Sequence, residues 1–156
     1  MLHLYIGQSD GTAAPTSLIE YDGYVLSVSL QPRVPSYGIV VVNRWTLEVG
    51  EDGRILLIDG WLPIIRERAV PPRFTTEPVV ADIRLRPEYD NNRRASYNYD
   101  VDEIYYDQRM SLLVLSWSNL PNVRLFRCTA NLSVVVDESM LMMGAVVHDV
   151  PSFGSS

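Results

Sequence analysis

The sequence has no lysine, and its thirteen basic residues other than histidine are all arginines. Without a side-chain amine, the chain lacks the lysine required for Schiff-base or lysine-base catalysis and the phosphate-binding lysine of P-loop proteins. Cys128 is the only cysteine, so an internal disulfide framework is excluded. His3 and His148 are the only histidines. A structural zinc site is therefore not expected, because zinc usually takes three or four ligands at characteristic spacing.

Long hydrophobic runs and net positive charge are also missing. The longest apolar run, residues 54–65, is interrupted by Asp59, Gly60 and Pro63, and it is shorter than the roughly 18 residues that a membrane helix needs. The start MLHLYIGQSDG lacks the basic and apolar regions of a signal peptide, so we expect a cytoplasmic or otherwise intracellular location. The formal net charge of −6 argues against phosphate-backbone binding. We therefore expect neither a membrane nor a nucleic acid as partner.

Short apolar runs rich in β-branched residues recur between turn signals. Asp22-Gly23 is a typical two-residue hairpin turn, and the glycines of residues 50–53 mark a second hairpin. The runs predict an all-β fold, an antiparallel β-sandwich or jelly-roll-like barrel of about eight to ten short strands. The predicted strand regions are 3–6, 17–21, 24–30, 39–49, 54–59, 79–86, 101–106, 111–118, 123–136 and 140–150.

The length of 156 residues and an apolar content of 47% predict a single β domain over residues 1–156. No repeat period stands out. The one helix candidate is the segment LPIIRERA, residues 62–69, which Pro71-Pro72 would end.

Residues with catalytic or metal-binding chemistry are few. Residues 7–11 match the G-x-S-x-G nucleophile motif, but no helix is predicted after the serine, so we interpret them as a turn. Cys128 alternates with apolar residues on a strand and is expected to be an inert core thiol. The acidic residues 100–103 could hold calcium, although a solvated loop is the commoner arrangement. We expect no enzyme activity, no cofactor and no metal.

Residues 87–108 hold five of the nine tyrosines and six of the nineteen acids. Tyrosine, arginine and asparagine are typical of contact surfaces. We expect residues 90–99 to form an exposed loop, and the segment DEIYY, residues 102–106, to form a strand. In this interpretation, alanine at both Tyr97 and Tyr99 would barely change stability. The predicted binding residues are Tyr89, Asn92, Arg93, Arg94, Tyr97 and Tyr99.

These features predict a non-enzymatic protein–protein interaction or assembly module, whose partner is another protein or its own copies. The closing DESMLMMGAVVHDVP resembles the last strand of icosahedral-virus jelly-roll coat proteins, which implies a coat or scaffold subunit. The acidic balance equally fits an inhibitor or immunity-type protein. The alternative is a β-sandwich or barrel that binds a carbohydrate or another small ligand, with Trp45, Trp61 and Trp117 lining its cavity.

Overall fold

The computed structural model describes residues 2–7 and 14–153, and within them it confirms the all-β prediction. The single helical element in these ranges is a 3-10 turn at Pro72–Phe74. The strands are β1 (His3–Gly7), β2 (Ser17–Tyr21), β3 (Val25–Leu30), β4 (Gly38–Val42), β5 (Trp45–Val49), β6 (Ile55–Trp61), β7 (Val79–Val80), β8 (Asp82–Arg86), β9 (Arg94–Tyr97), β10 (Glu103–Asp107), β11 (Leu112–Ser116), β12 (Arg124–Arg127), β13 (Leu132–Val136) and β14 (Met142–His148).

The described strands outnumber the eight to ten predicted because several long apolar runs are divided by turns. The run 39–49 becomes β4 and β5, which pair up to Val42 and Trp45 across a two-residue turn. Asn43 in that turn has a φ of 53°, a left-handed conformation that asparagine tolerates better than most residues. The run 123–136 is divided in the same way between β12 and β13.

The first predicted hairpin is present, but its turn lies one residue further along the chain. Its two central residues are Gly23 and Tyr24, because Asp22 pairs with Val25 through the Asp22 amide. Gly23 has a φ of 94°, which glycine adopts without steric cost. The Asp22 carboxylate accepts hydrogen bonds from the amides of Tyr24 and Val25 at 2.8 and 2.7 Å, which fixes the turn.

The helix expected over residues 62–69 is absent. The Leu62 amide donates to the carbonyl of Tyr24 at 2.6 Å, and the Arg68 amide donates to that of Tyr106 at 2.9 Å. Amides that bind neighbouring strands are not available for helical bonds, so tertiary pairing overrides the local helical pattern. Pro71 and Pro72, expected to end a helix, instead precede and begin the 3-10 turn.

The strands form two six-stranded sheets and one two-stranded sheet. Sheet I has the order β2-β3-β6-β5-β4-β9, sheet II has the order β10-β11-β14-β13-β12-β7, and β1 pairs with β8. The pairing is antiparallel except for β4 with β9 and β7 with β12, which are parallel. The two large sheets pack in a sandwich-like arrangement.

Sheets I and II repeat one topology, although no repeat was evident from the sequence. In sheet I, β4, β5 and β6 form a meander, and β3 pairs with its last strand, β6. In sheet II, β12, β13 and β14 form a meander, and β11 pairs with its last strand, β14. This arrangement of four antiparallel strands is a Greek key. The cross-strand residue pairs of the two sheets also match with a constant difference of 87 in residue number. β3, β5 and β6 correspond in this way to β11, β13 and β14, so the pair Trp45–Gly60 corresponds to the pair Leu132–Val147. The register shift next to the second hairpin turn recurs at the same offset.

The main core lies between the sheets and draws on both of them. Trp45 and Leu47 contribute from sheet I, and Leu113 and Val134 contribute from sheet II. No helix in the described ranges is long and apolar enough to cross a membrane.

A second apolar cluster covers the outer face of sheet II, where Val70 and Phe74 pack on Val135, Val146 and neighbouring residues. The two residues of sheet I that correspond to Val135 and Val146 are polar, namely Glu48 and Asp59. The outer face of sheet II is therefore apolar and covered by the segment that contains Val70 and Phe74, whereas the polar side chains at the two positions in sheet I are suited to contact with water.

Candidate functional site

Two of the six predicted binding residues, Asn92 and Arg93, lie on a solvent-exposed turn, and a third, Arg94, begins β9 directly after it. Asn92, Arg93 and Arg94 are exposed. The Asp90 carboxylate accepts hydrogen bonds from the amides of Asn92 and Arg94 at 2.7 and 3.1 Å, and Arg93 has a φ of 58°. The aspartate and the left-handed residue hold the segment as a tight turn that presents these side chains to solvent.

Tyr97 and Tyr99 contradict the prediction of an exposed loop over residues 90–99. Tyr97 ends β9, and both tyrosines are half-buried against the main core. Tyr99 stacks on Trp117 with ring centroids 5.9 Å apart, and its hydroxyl donates to the carbonyl of Met142 at 3.0 Å. β9 was missed because its four residues acquire strand geometry only by pairing with β4, a contact remote in sequence. The strand predicted for DEIYY is confirmed as β10.

Tyr89 joins a surface cluster that the sequence pattern did not reveal. Its ring meets that of Tyr37 edge-on at 6.0 Å, and the Arg93 guanidinium lies 4.3 Å from the centroid of Tyr37. A Cβ on Gly38 would come within 2.5 Å of the Tyr89 ring, so the absence of a side chain there lets this ring approach the backbone. Burial raises the pKa of Tyr89 above its ordinary value. We call Tyr37, Tyr89 and Arg93 the Tyr37 cluster.

The three tryptophans have different surroundings. Trp45 and Trp117 are only 1% and 2% exposed and belong to the main core, so they do not form an open binding cavity. Trp61, at the end of β6, is 61% exposed. Its counterpart in sheet II, His148, is buried. The exposure of Trp61 is therefore not a consequence of its strand position alone.

Other exposed apolar side chains lie around Trp61. Val25 is its cross-strand partner, and the Leu62 amide binds the carbonyl of Tyr24, which brings the β2–β3 turn to this end of β6. Tyr24 is 63% exposed and Ile64 is 64% exposed. We call Tyr24, Val25, Trp61 and Ile64 the Trp61 surface.

A cleft of about 430 Å³ adjoins this surface and contains both Trp61 and Ile64. Three arginines line it, Arg44, Arg66 and Arg68, together with the apolar residues Leu62, Pro63, Ile65 and Ile104. No acidic side chain is among its lining residues. The cleft therefore combines apolar walls with cationic groups, in a chain whose net charge is negative.

Two of these arginines have acidic partners outside the cleft lining. Arg44 Nε binds the Asp102 carboxylate at 2.9 Å, and Arg68 Nη2 binds that of Glu103 at 3.0 Å. The guanidinium of Arg68 also lies 4.3 Å from the ring centroid of Tyr105. Within residues 2–7 and 14–153, Arg66 has no ion pair.

Two of the acids in residues 100–103, Asp102 and Glu103, are engaged with these arginines. The Tyr105 hydroxyl donates to Glu103 at 2.5 Å, and this bond, followed by the charge of Arg68, lowers the pKa of Glu103. No group of three or more His, Cys, Asp or Glu side chains among the described residues is placed to hold a metal ion.

The one serine–histidine pair of the described residues and the cysteine are not arranged as an open nucleophilic site. Ser133 Oγ lies 2.6 Å from His148 Nε2, but Ser133 is fully buried. Burial, and then the nearby Arg127, lower the pKa of His148 to about 4. Burial raises the pKa of Cys128 to about 12, so its thiol is protonated at neutral pH. Residues 8–11 of the G-x-S-x-G motif lie outside the described ranges.

A comparison of the sequence with models of known protein families, and with curated proteins, finds no match.

Proposed function

We propose that this protein is a non-enzymatic protein-binding module and that the Trp61 surface is its main contact site. The partner is another protein or a second copy of this chain. The coat or scaffold version requires binding between copies. The inhibitor or immunity-type version requires binding to a different protein.

The observation that carries the proposal is the exposure of Trp61 beside Tyr24 and Ile64. Tryptophan, tyrosine and arginine are the residue types most enriched among those that dominate binding energy. Polar residues at the outward positions of Glu48 and Asp59 show that sheet I does not carry apolar residues uniformly on this face. Exposed apolar groups gathered at one end and bordered by arginines are typical of an interaction site.

Trp61→Ala tests the proposal against Tyr5→Ala, since Tyr5 is also an exposed aromatic residue but lies on β1. Sedimentation equilibrium of both variants and of the unsubstituted protein measures binding between copies. For a different partner, each protein serves as bait, and a captured partner is purified and titrated by calorimetry. We expect Trp61→Ala to weaken the interaction by about 2 kcal/mol or more, and Tyr5→Ala to leave it unchanged.

Arg93→Ala examines the Tyr37 cluster in the same assays. If the interaction persists in Trp61→Ala but is lost in Arg93→Ala, the contact site is the turn at Arg93 that the sequence predicted, and not the Trp61 surface. A monomer whose purified partners bind both variants as well as the unsubstituted protein would contradict the proposed role of the Trp61 surface.

A small-ligand function is the second candidate, and the size of the cleft favours it. Its volume of about 430 Å³ lies within the roughly 300–1,000 Å³ usual for small-molecule sites. However, Trp61 and Ile64 are largely open to water, whereas such sites bury most of their ligand. Fluorescence titration with mono- and oligosaccharides and with fatty acids would distinguish a small-ligand function from a protein-binding function. Saturable quenching that disappears in Trp61→Phe would favour the small ligand.

A further inference from the structure

We infer that the cleft beside the Trp61 surface binds an acidic peptide segment. An apolar side chain of the partner lies between Trp61 and Ile64, and its carboxylates bind Arg44, Arg66 and Arg68. This inference rests on the proposed protein-binding function and specifies the chemistry of the partner.

Charge complementarity identifies the partner. The chain has nineteen acidic and thirteen basic residues, yet three arginines and no acid line this one cleft. Arginine is suited to this role because its guanidinium carries five N–H donors in a planar fork that matches a carboxylate. A basic segment would place like charges against Arg44, Arg66 and Arg68.

The existing ion pairs leave donors for an incoming carboxylate. Arg44 uses Nε for Asp102, and Arg68 uses Nη2 for Glu103, so the other guanidinium nitrogens of both take no part in these two bonds. Both pairs are exposed, and exposed pairs contribute only about 0–1 kcal/mol, so sharing them with a partner carries little cost. Arg66 forms no ion pair in the described part of the chain, so its whole guanidinium is open to an incoming carboxylate. We therefore expect Arg66 to contribute most of the charge selectivity.

The apolar walls explain why a segment with both acidic and apolar residues fits better than a simple polyanion. Trp61, Ile64 and Ile104 line the same cleft as the three arginines. Contact with these side chains removes apolar surface from water, which inorganic phosphate or a nucleic acid backbone cannot do to the same extent.

Calorimetric titration with two synthetic peptides, both acetylated and amidated at their ends, tests the inference on the full chain. The first is Glu-Asp-Leu-Phe-Asp-Glu-Leu, and the second replaces each acid by its amide, as Gln-Asn-Leu-Phe-Asn-Gln-Leu. We expect the acidic peptide to bind at least about tenfold more tightly, a difference of about 1.4 kcal/mol. Its affinity should fall as salt is raised, because exposed charge interactions are screened.

Arg66→Gln and the matched control Arg54→Gln locate the effect. Arg54 lies at the turn end of the β5–β6 hairpin, away from Trp61. We expect Arg66→Gln to reduce the affinity for the acidic peptide about tenfold without changing that for the amide peptide, and Arg54→Gln to change neither. Circular dichroism confirms that each variant is folded.

The other outcomes separate this inference from the proposed function. Equal affinities for the two peptides, both lost in Trp61→Ala, would overturn the acidic partner and support the binding surface. No binding of either peptide at about millimolar concentration, weaker than about 4 kcal/mol, would overturn the inference, while the partner assays above decide the function independently. If an oligothymidylate binds more tightly than the acidic peptide, and this binding depends on Arg66, the partner is a nucleic acid and not an acidic peptide.

Discussion

At the scale of the residue, the position of Tyr99 differs most from what its neighbours in sequence suggest. It lies in a polar stretch between Asn98 and Asp100, and composition alone favours a solvent contact. In the fold its ring stacks on Trp117 and its hydroxyl binds a carbonyl of β14. Burial raises the pKa of its hydroxyl. Tyr99 therefore contributes to the core rather than to an exposed loop.

Tyr99→Ala should consequently reduce the free energy of unfolding by about 2–4 kcal/mol, somewhat less than for a fully buried aromatic residue. Tyr99→Phe, which loses the hydrogen bonding of the hydroxyl, should cost about 1 kcal/mol. Tyr24→Ala is the exposed control and should stay within about 0.5 kcal/mol. Urea titrations of the three variants measure these values. If the urea midpoint of Tyr99→Ala equals that of Tyr24→Ala, Tyr99 is exposed to solvent and does not contribute to the core.

His148 predicts a pH dependence of stability. Its pKa is lowered from 6.5 to about 4 by burial first and by Arg127 second, while Asp149 opposes the change. The folded chain therefore holds a neutral ring, and the unfolded chain binds a proton first as the pH falls. The stability from this group is complete above about pH 6.5 and is lost progressively towards about pH 4.

His148→Asn isolates this contribution from those of the carboxylates. Urea midpoints of the protein and the variant, measured between about pH 7.5 and 4.5, should converge in the acid direction as the native histidine loses its advantage. A difference that stays constant over this range would show that the ring is not kept neutral in the fold.

At the scale of the element, the two Greek keys fill equivalent positions in opposite ways. In sheet I, Trp45 on β5 faces Gly60 on β6, and in sheet II, Leu132 faces Val147. A Cβ on Gly60 would lie 2.3 Å from the Trp45 ring. One pair has a large and a very small residue, and the other has two of middle size. The repeated topology was not visible in the sequence because packing constrains the pair as a unit and not each residue.

Gly60→Val should therefore be strongly destabilising, by about 3 kcal/mol or more, because the Trp45 ring already occupies the space. Adding Trp45→Leu, which reproduces the pair found in sheet II, should recover at least about 1 kcal/mol. The double-mutant cycle, measured by urea unfolding, gives the coupling energy directly. Additive effects of the two substitutions would contradict the correspondence between the pairs.

At the scale of the whole molecule, the two sheets depend on a shared interior. Phe153, close to the C-terminus, contacts Tyr21 of sheet I at 5.0 Å and Tyr106 of sheet II at 5.5 Å between ring centroids. Separating the sheets would expose the inner faces of both to water. This dependence predicts that neither sheet unfolds alone.

Variants with a single buried tryptophan test this cooperativity. One carries Trp61→Phe with Trp117→Phe and reports on sheet I through Trp45, and the other carries Trp61→Phe with Trp45→Phe and reports on sheet II. In each variant, fluorescence and far-UV circular dichroism should give the same urea midpoint, as expected for two-state unfolding. A fluorescence transition that precedes the dichroism transition would indicate sheets that unfold separately.

Several features could be predicted from the sequence because they depend on local chemistry. Alternation of β-branched residues indicated strands, and the glycines near Asp22 and at residues 50–53 marked hairpins. The exclusion of lysine chemistry and of a disulfide framework follows from composition alone. The exposure of Asn92, Arg93 and Arg94 follows from their polar side chains in and next to a turn. In each case the physical cause lies within a few residues of the effect.

The tertiary structure alone decided which aromatic residues face water. Trp45, Trp61 and Trp117 all lie at or near strands, and only the packing of the sheets leaves Trp61 exposed. The cleft beside it brings Arg44 and Arg66 together with Ile104, which are far apart along the chain. Burial and cleft formation are properties of contacts between distant segments, because the free energy of removing apolar surface from water depends on which surfaces finally meet.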